Sequence, residues 1–400
     1  MLFDTYVQQT TIWWNNWLRR VYDLERTGQT DSNGGKIFYP TMLICTKCHG
    51  YYVAELFGAS ETFESLVVKR HEEESIYRYL NQFKGDSVNS LFGFDAFNNG
   101  ISNLCMANGA PGEDVEERFP IVNHFDTRVI NEKNDGSFIE FGENFTSMWL
   151  DNCVMLNKDG QLTRCKFVLH AQIVRSSISH QKLSEQLEAE ANDANIQGIL
   201  TVRRGQEHSV AIAGQLQAMY LFPNLRETTV GEFFRAHPQI IKAALGTDEY
   251  HYEPYLEWVE HDGTCGDTAI NPDLLVKRAD GFFDIYDLKT ALLDRSSITK
   301  AERKRRRFID YVNEGIAQLA NYREYFSYSG NADLARQKYG VEVKDPKLIL
   351  VVGSWENVDP VEVNQACRMY AGVEIIDYDT LCQMFLKNSL TPLDARRVAA

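Results

Sequence analysis

The stretch Asn271–Ala291, NPDLLVKRADGFFDIYDLKTA, limits the folds open to this 400-residue chain more than any other. Its apolar runs LLVK and FFDIYDLKTA flank Ala279–Asp280–Gly281, which predicts two adjacent strands joined by a short turn. Side chains two apart on a strand share a face, so Asp287 and Lys289 point the same way. Asp273 follows Pro272 at the start of the first strand. Acids gathered at strand ends suit a hard cation such as Mg²⁺ or Mn²⁺, and hence phosphodiester hydrolysis. In that reading Asp273 and Asp287 bind metal. Lys289 orients the attacking water and stabilises charge that develops in the transition state.

The flanking sequence predicts an α/β layer with a mixed sheet. Lys347–Val352, KLILVV, is continuously apolar after its lysine, as a strand covered on both faces should be. Val361–Tyr370 reads as a helix after Asp359–Pro360, Val373–Ile376 as a strand and Thr380–Leu390 as a helix. Upstream, Thr228–Thr229 with Glu232 predicts a capping box opening a helix that meets Pro238. Thr299–Tyr325 predicts one long helix whose start carries Lys300, Arg303, Lys304, Arg305, Arg306 and Arg307. Cations there oppose the helix dipole, a cost that contacts with DNA phosphates would offset. Such contacts position double-stranded DNA without reading its sequence.

A chain of this length predicts two domains, and the break at Phe222–Pro223–Asn224 divides it into 1–222 and 223–400. The first part reads as an α+β region with substantial β content. Thr11–Glu25 has the apolar spacing of an amphipathic helix, and Ile37–Leu56 reads as strands. Glu61–Phe83 reads as a helix, Ser87–Pro120 as irregular, Phe119–Arg175 as mainly β, and Ser179–Ala194 and Gln206–Met219 as helices. Cys45, Cys48 and His49 form a CxxC pair plus histidine that Cys153 and Cys165 would have to complete as a zinc site. Buried thiols are the simpler reading, and no structural zinc is expected. His170, His180 and His208 have no acid or nucleophile fixed beside them in the sequence, so they read as surface or hydrogen-bonded residues.

The net charge of −15 argues weakly against nucleic-acid binding, unless the contacting surface is locally basic. No apolar run approaches the length of a membrane span, and the first residues lack a secretory pattern. Eight cysteines without small-scaffold spacing fit reduced thiols in a cytoplasmic protein.

Pro272–Asp273, then Asp287–Leu288–Lys289, then a helix carrying Gln318 and Tyr322, resembles the PD-(D/E)xK nuclease superfamily with its QxxxY element. Glu232–Gln239, NPDLLVKR, DIYDLKTA and the glutamine helix resemble more closely the C-terminal domain of the Shedu anti-phage defence family, over about residues 225–388. The resemblance implies a C-terminal restriction-endonuclease-like α/β domain. It implies a Mg²⁺- or Mn²⁺-dependent DNA endonuclease in anti-phage defence, regulated by its N-terminal region and assembled as a dimer or tetramer. It adds Glu232 as the upstream acid and further metal ligand, with Glu257 behind it, and gives Gln318 and Tyr322 places beside the metal and the DNA backbone. Aspartate at 287, where many relatives carry glutamate, has the shorter reach. Two readings compete with it. One is a non-catalytic nucleic-acid-binding or assembly protein on a degenerate nuclease fold. The other, an acid–base enzyme on a small phosphorylated substrate, finds no glycine-rich phosphate loop.

Overall fold

The computed structural model describes residues 1–29, 35–80, 99–102, 104–108, 128–131, 141, 143–159, 162–191, 198–202, 205–221, 225–263, 266–302 and 305–389. The chain divides into two units. One comprises Met1–Asn157, Cys165–Ala218 and Ser389–Ala400, the other Lys158–Arg164 and Met219–Asn388. Among the described residues no helix is long and apolar enough to cross a membrane.

The first unit opens with α1 (Phe3–Arg26). There follow β1 (Lys36–Phe38), β2 (Met42–Cys48), β3 (Tyr51–Phe57), β4 (Val67–Glu72) and the short α2 (Ile76–Tyr79). Next come β5 (Asn99–Ser102), β6 (Leu104–Asn108), β7 (Arg128–Asn131), β8 (Ser147–Asp159) and β9 (Leu162–Arg175). After them lie α3 (His180–Ala191), β10 (Leu200–Val202) and α4 (Glu207–Tyr220). The large sheet runs β4-β2-β3-β9-β8-β6-β7, with β5 also paired to β8. The apolar stripe of α1, with Tyr6, Trp14, Leu18 and Val21 buried, packs on one face of this sheet against Leu43, Ala54, Leu56 and Val174.

Within Glu61–Phe83, expected to be a helix, Val67–Glu72 instead form β4, which pairs in parallel with β2, and among the described residues there only α2 is helical. Within Ser87–Pro120, expected to be irregular, β5 and β6 are strands, and the remainder lies outside the described residues. Cys45 and Cys48 lie three apart on β2 and so face opposite ways. Both are buried, and burial pushes each thiol up to about 12.

The first unit also buries charge. Lys166 Nζ lies 2.9 Å from Glu55 Oε2, with side-chain exposures of 0% and 2%. The Tyr79 hydroxyl donates to the same carboxylate oxygen, and the ammonium sits over the Phe57 ring, 4.7 Å from its centre. His170, for which the sequence offered no acid, is wholly buried with Nδ1 2.6 Å from Asp151 Oδ1.

The second unit is built on a sheet ordered β11-β14-β15-β18-β19. Its helices and strands in chain order are α5 (Glu227–Ala236), α6 (Pro238–Leu245), β11 (Tyr250–Tyr252), β12 (Leu256–Glu257), β13 (Ala269–Ile270), β14 (Leu274–Lys277) and β15 (Phe283–Leu288). Then come β16 (Thr299–Glu302), β17 (Arg305–Phe308), α7 (Asp310–Tyr325), α8 (Ser329–Tyr339), β18 (Leu348–Val351), α9 (Pro360–Cys367), β19 (Val373–Ile376) and α10 (Tyr378–Ser389). The strands β11, β14 and β15 pair antiparallel, while β15, β18 and β19 pair parallel. One sheet face meets α7, burying Phe283, Ile285 and Leu350 with Val312, Ile316 and Leu319. On the other face Leu274, Tyr286, Leu288 and Val351 line a small apolar cavity with Phe234, Ile240, Ile241 and Leu381. Every residue of β15 and β18 is therefore buried.

Two expectations fail here. The long helix over Thr299–Tyr325 is instead the antiparallel hairpin β16–β17 followed by α7. Consecutive like charges repel on a helix start and meet its positive dipole, whereas a hairpin alternates them between two faces. The capping box at Thr228–Glu232 does not form, since α5 starts at Glu227 and its N-cap, Arg226, makes no side-chain cap. Breaking the buried Lys166–Glu55 pair from one side strands a charge, so Lys166→Met should cost about 3–5 kcal/mol. Urea denaturation checks this, and a loss under 1 kcal/mol would mean that water reaches the pair.

Candidate functional site

The antiparallel register sets Leu274 opposite Tyr286, which brings Asp273, just ahead of β14, beside the end of β15. Asp273 Oδ2 accepts the Leu288 N–H at 2.6 Å. Strand alternation puts Asp287 and Lys289 on the α7 side, where they are 2% and 5% exposed. Lys289 Nζ lies 3.1 Å from Asp287 Oδ2, donates to Gln318 Oε1 at 2.7 Å, and reaches Glu227 Oε2 at 3.3 Å. These three contacts match the three N–H donors of an ammonium.

The close packing of α7 makes this possible. Gly315 leaves room for the lysine and the acid, since a Cβ there would stand 2.8 Å from Leu350 Cδ1, 3.1 Å from Lys289 Cε and 3.3 Å from Asp287 Oδ2. One turn along the same helix, Gln318 reaches the ammonium, and Tyr322 donates to the Asn271 carbonyl at 3.4 Å. The expected pair Gln318 and Tyr322 thus meets the strand ends, Gln318 through Lys289 and Tyr322 through the backbone before Asp273.

Three residues reach the site without having been marked by the sequence. Glu227, in the first turn of α5, accepts from Tyr311 at 2.5 Å and from Lys289. The Tyr311 hydroxyl also accepts the Thr290 N–H at 3.3 Å. The Tyr378 hydroxyl, at the start of α10, donates to the Lys289 carbonyl. Glu232, expected here, is exposed instead. Five residues along a helix turn through roughly 500°, which leaves Glu232 about 140° away from Glu227. Glu257 is exposed as well. An acid in a first helical turn is commonplace, so no local signal preferred Glu227 to Glu232.

Charge in this closed space shifts titration. Burial raises the Asp273 carboxyl from its ordinary 3.8 to about 7, and the charge on Asp287 adds to the rise. Burial raises Asp287 as well, against the opposing pull of Lys289. Burial lowers Lys289, but the Asp287 and Glu227 carboxylates outweigh it and hold the ammonium above its usual range. Tyr311 is pushed up to about 12 by burial and its bond to Glu227.

These contacts overturn the metal-dependent reading. Among the described residues no three or more His, Cys, Asp and Glu side chains are grouped so as to hold a metal ion. The donor set explains why. One Asp273 oxygen serves the Leu288 amide, Asp287 faces an ammonium, Glu227 is divided between Lys289 and Tyr311, and Glu232 stands in solvent. The residues do not fit Mg²⁺ or Mn²⁺, and the expected endonuclease, with its metal cofactor, is corrected on that ground. The positive charge at the centre of the acids is the chain's own lysine.

The basic residues lie elsewhere than the sequence placed them. In β16–β17, Lys300 pairs with Arg307, Ala301 with Arg306 and Thr299 with Phe308. Thr299 and Phe308 are buried on the inner face, where Arg306 Nη2 meets Glu362 Oε1 at 2.7 Å. The Thr299 hydroxyl donates to the other oxygen of Glu362. Lys300, Glu302, Arg305 and Arg307 share the opposite face, Glu302 opposite Arg305, with Lys300 Nζ 2.7 Å from the exposed Asp310. Arg303 and Lys304 lie outside the described residues.

The raised carboxyl makes a pH prediction with a defined sign. A folded-state pKa above the unfolded one favours the protonated folded form. That contribution is fully present below about pH 4 and is lost as pH rises through about 7. A shift of about three units corresponds to at most about 4 kcal/mol. Asp273→Asn keeps an acceptor for Leu288 and cannot ionise, so its stability relative to wild type should grow from pH 4 to pH 8. Thermal melts across that range check it, and parallel pH profiles for the two proteins would contradict the assignment. The chain matches no protein-family model and no curated protein.

Proposed function

We propose that this chain is a non-catalytic nucleic-acid-binding protein, built on a restriction-endonuclease-like core of the kind the Shedu resemblance implies. The observation that carries the reading is the register of the β16–β17 hairpin, which sets Lys300, Arg305 and Arg307 on one face together with Glu302, while the other face is anchored to α9. A local row of cations supplies the phosphate attraction that a chain of net charge −15 lacks as a whole. The mixed sheet, with α7 on the face that carries Asp287, supports the proposed ancestry of the core.

In this reading the former site is a structural clamp. Lys289 ties β15 to α7 through Gln318 and to α5 through Glu227. Its donors are engaged within the chain, so it has none to offer a phosphate. Double-stranded DNA is the partner the hairpin fits best. Self-association belongs to the same reading, because two copies would bring two hairpins to one duplex and add avidity without new contacts.

Fluorescence anisotropy with a labelled DNA duplex should give binding that weakens steeply with salt, and Arg305→Glu should flatten the log–log salt slope by about one or more. Asp310→Asn removes an acid and releases Lys300, so it should tighten binding. The duplex should stay intact with Mg²⁺, Mn²⁺ or EDTA. Metal-dependent cutting that disappears in Lys289→Ala would overturn the non-catalytic reading.

A further inference from the structure

The underside of α1 carries polar groups where a helix facing a sheet ordinarily carries hydrocarbon. Tyr6, Thr10 and Trp14 lie four apart in turn, share one helix face and are each 0% exposed. Thr10 Oγ1 and Trp14 Nε1 are buried with no hydrogen-bond partner among the described residues. Ring contacts fix where this face lies. Tyr6 meets Tyr52, with ring centres 5.1 Å apart, and Trp14 meets His170 edge-on at 4.7 Å. Between β3 and β9, Tyr52 pairs with Val174, Ala54 with Gln172 and Leu56 with His170. From Tyr6 to Trp14 the helix rises about 12 Å, and from Tyr52 to Leu56 the strand advances about 13 Å. Thr10, midway along that helix face, therefore stands over the Ala54–Gln172 pair. Both residues of the pair are 0% exposed, and Ala54 has the smallest of the six paired side chains.

We propose that a buried water is bound here, between Thr10 and the Ala54–Gln172 pair, accepting the Trp14 indole N–H and bonding the Thr10 hydroxyl. An indole N–H only donates, whereas a hydroxyl both donates and accepts, so one water satisfies the two together. Side chains four apart on a helix have Cβ atoms about 5–6 Å apart, a separation within the reach of one bridging water. A buried water is held by about two to four polar partners, and it removes the cost of leaving a donor and a hydroxyl unpaired. A larger ligand would have to push the indole aside. The packing forbids that, since a Cβ on Gly198 would stand 2.6 Å from Trp14 Cζ3 and 2.8 Å from Leu56 Cδ1. The water ties α1 to the sheet from beneath, as direct bonds tie its margins. Gln9 Nε2 donates to Ser184 Oγ at 2.7 Å, and the Leu66 N–H donates to Asn15 Oδ1 at 2.9 Å.

A crystal structure of the full chain should show an ordered water within about 3.2 Å of both Trp14 Nε1 and Thr10 Oγ1. Thermal melts of Thr10→Val give a second reading, with opposite signs for a wet and a dry site. Valine keeps the shape and removes the hydroxyl. Where the hydroxyl holds a water, its loss should lower the melting temperature by about 2 °C or more. Where it is simply unpaired, a methyl group in its place removes a desolvation cost and raises the melting temperature. The crystal structure of the unaltered chain decides alone if Thr10→Val does not fold. A dry contact at that place in the crystal, or a folded variant that melts at or above the wild type, overturns the site.

Discussion

The ammonium of Lys289 is the interaction on which the second unit's functional end depends. It lies 5% exposed among Asp287, Glu227 and Gln318, drawn from a strand, a helix upstream of it and a helix downstream. A buried charge in such a place is costly unless its donors are satisfied and opposite charge is near. Both conditions hold, and the same contacts fix how α5 and α7 meet the end of β15. Gly315 is the steric condition for it, because any larger residue would crowd both Lys289 and Asp287. Burial, with the charge on Asp287 added to it, raises the Asp273 carboxyl.

That arrangement separates two properties that a nuclease site would combine. Charge stabilisation is internal, spent on holding the strand ends and helices together. The clustered basic residues lie apart from it, on a hairpin directly ahead of α7 that is secured by Glu362. The break between hairpin and helix at Ile309–Asp310 also places an acid at the helix start, where the dipole favours it, and removes the cations from there. One short sequence thus satisfies the electrostatics of both elements, which a single helix over the whole segment would not.

Much of the second unit was legible. The hairpin of β14 and β15, the buried strand β18, the strand β19 and the helices α9 and α10 follow from apolar runs, a turn at Ala279–Asp280–Gly281 and a proline at the start of α9. Gln318 could be marked as a polar residue on an apolar-striped helix. What could not be read was which acid completes the cluster, since Glu227 and Glu232 differ only in helical phase and the start of α5 decides between them. Nor could the fate of the basic run be read, because its cations alternate between faces only once Lys300 and Arg307 are paired in register. In the first unit, the helix expected over Glu61–Phe83 gives way at Val67–Glu72, where pairing with β2 decides the conformation.

By itself the sequence determined the α/β character of the second unit, the alternation that puts Asp287 and Lys289 on one face, and the local excess of positive charge after residue 299. These are properties of neighbours along the chain, fixed by strand periodicity, turn chemistry and composition. Tertiary structure alone decided that this face is buried under α7, that Glu227 joins it from a distant helix, and that an ammonium occupies the centre of the acids. Each of those depends on residues far apart in sequence arriving within about 3 Å of one another, a distance set by helix packing and strand register that no local pattern encodes.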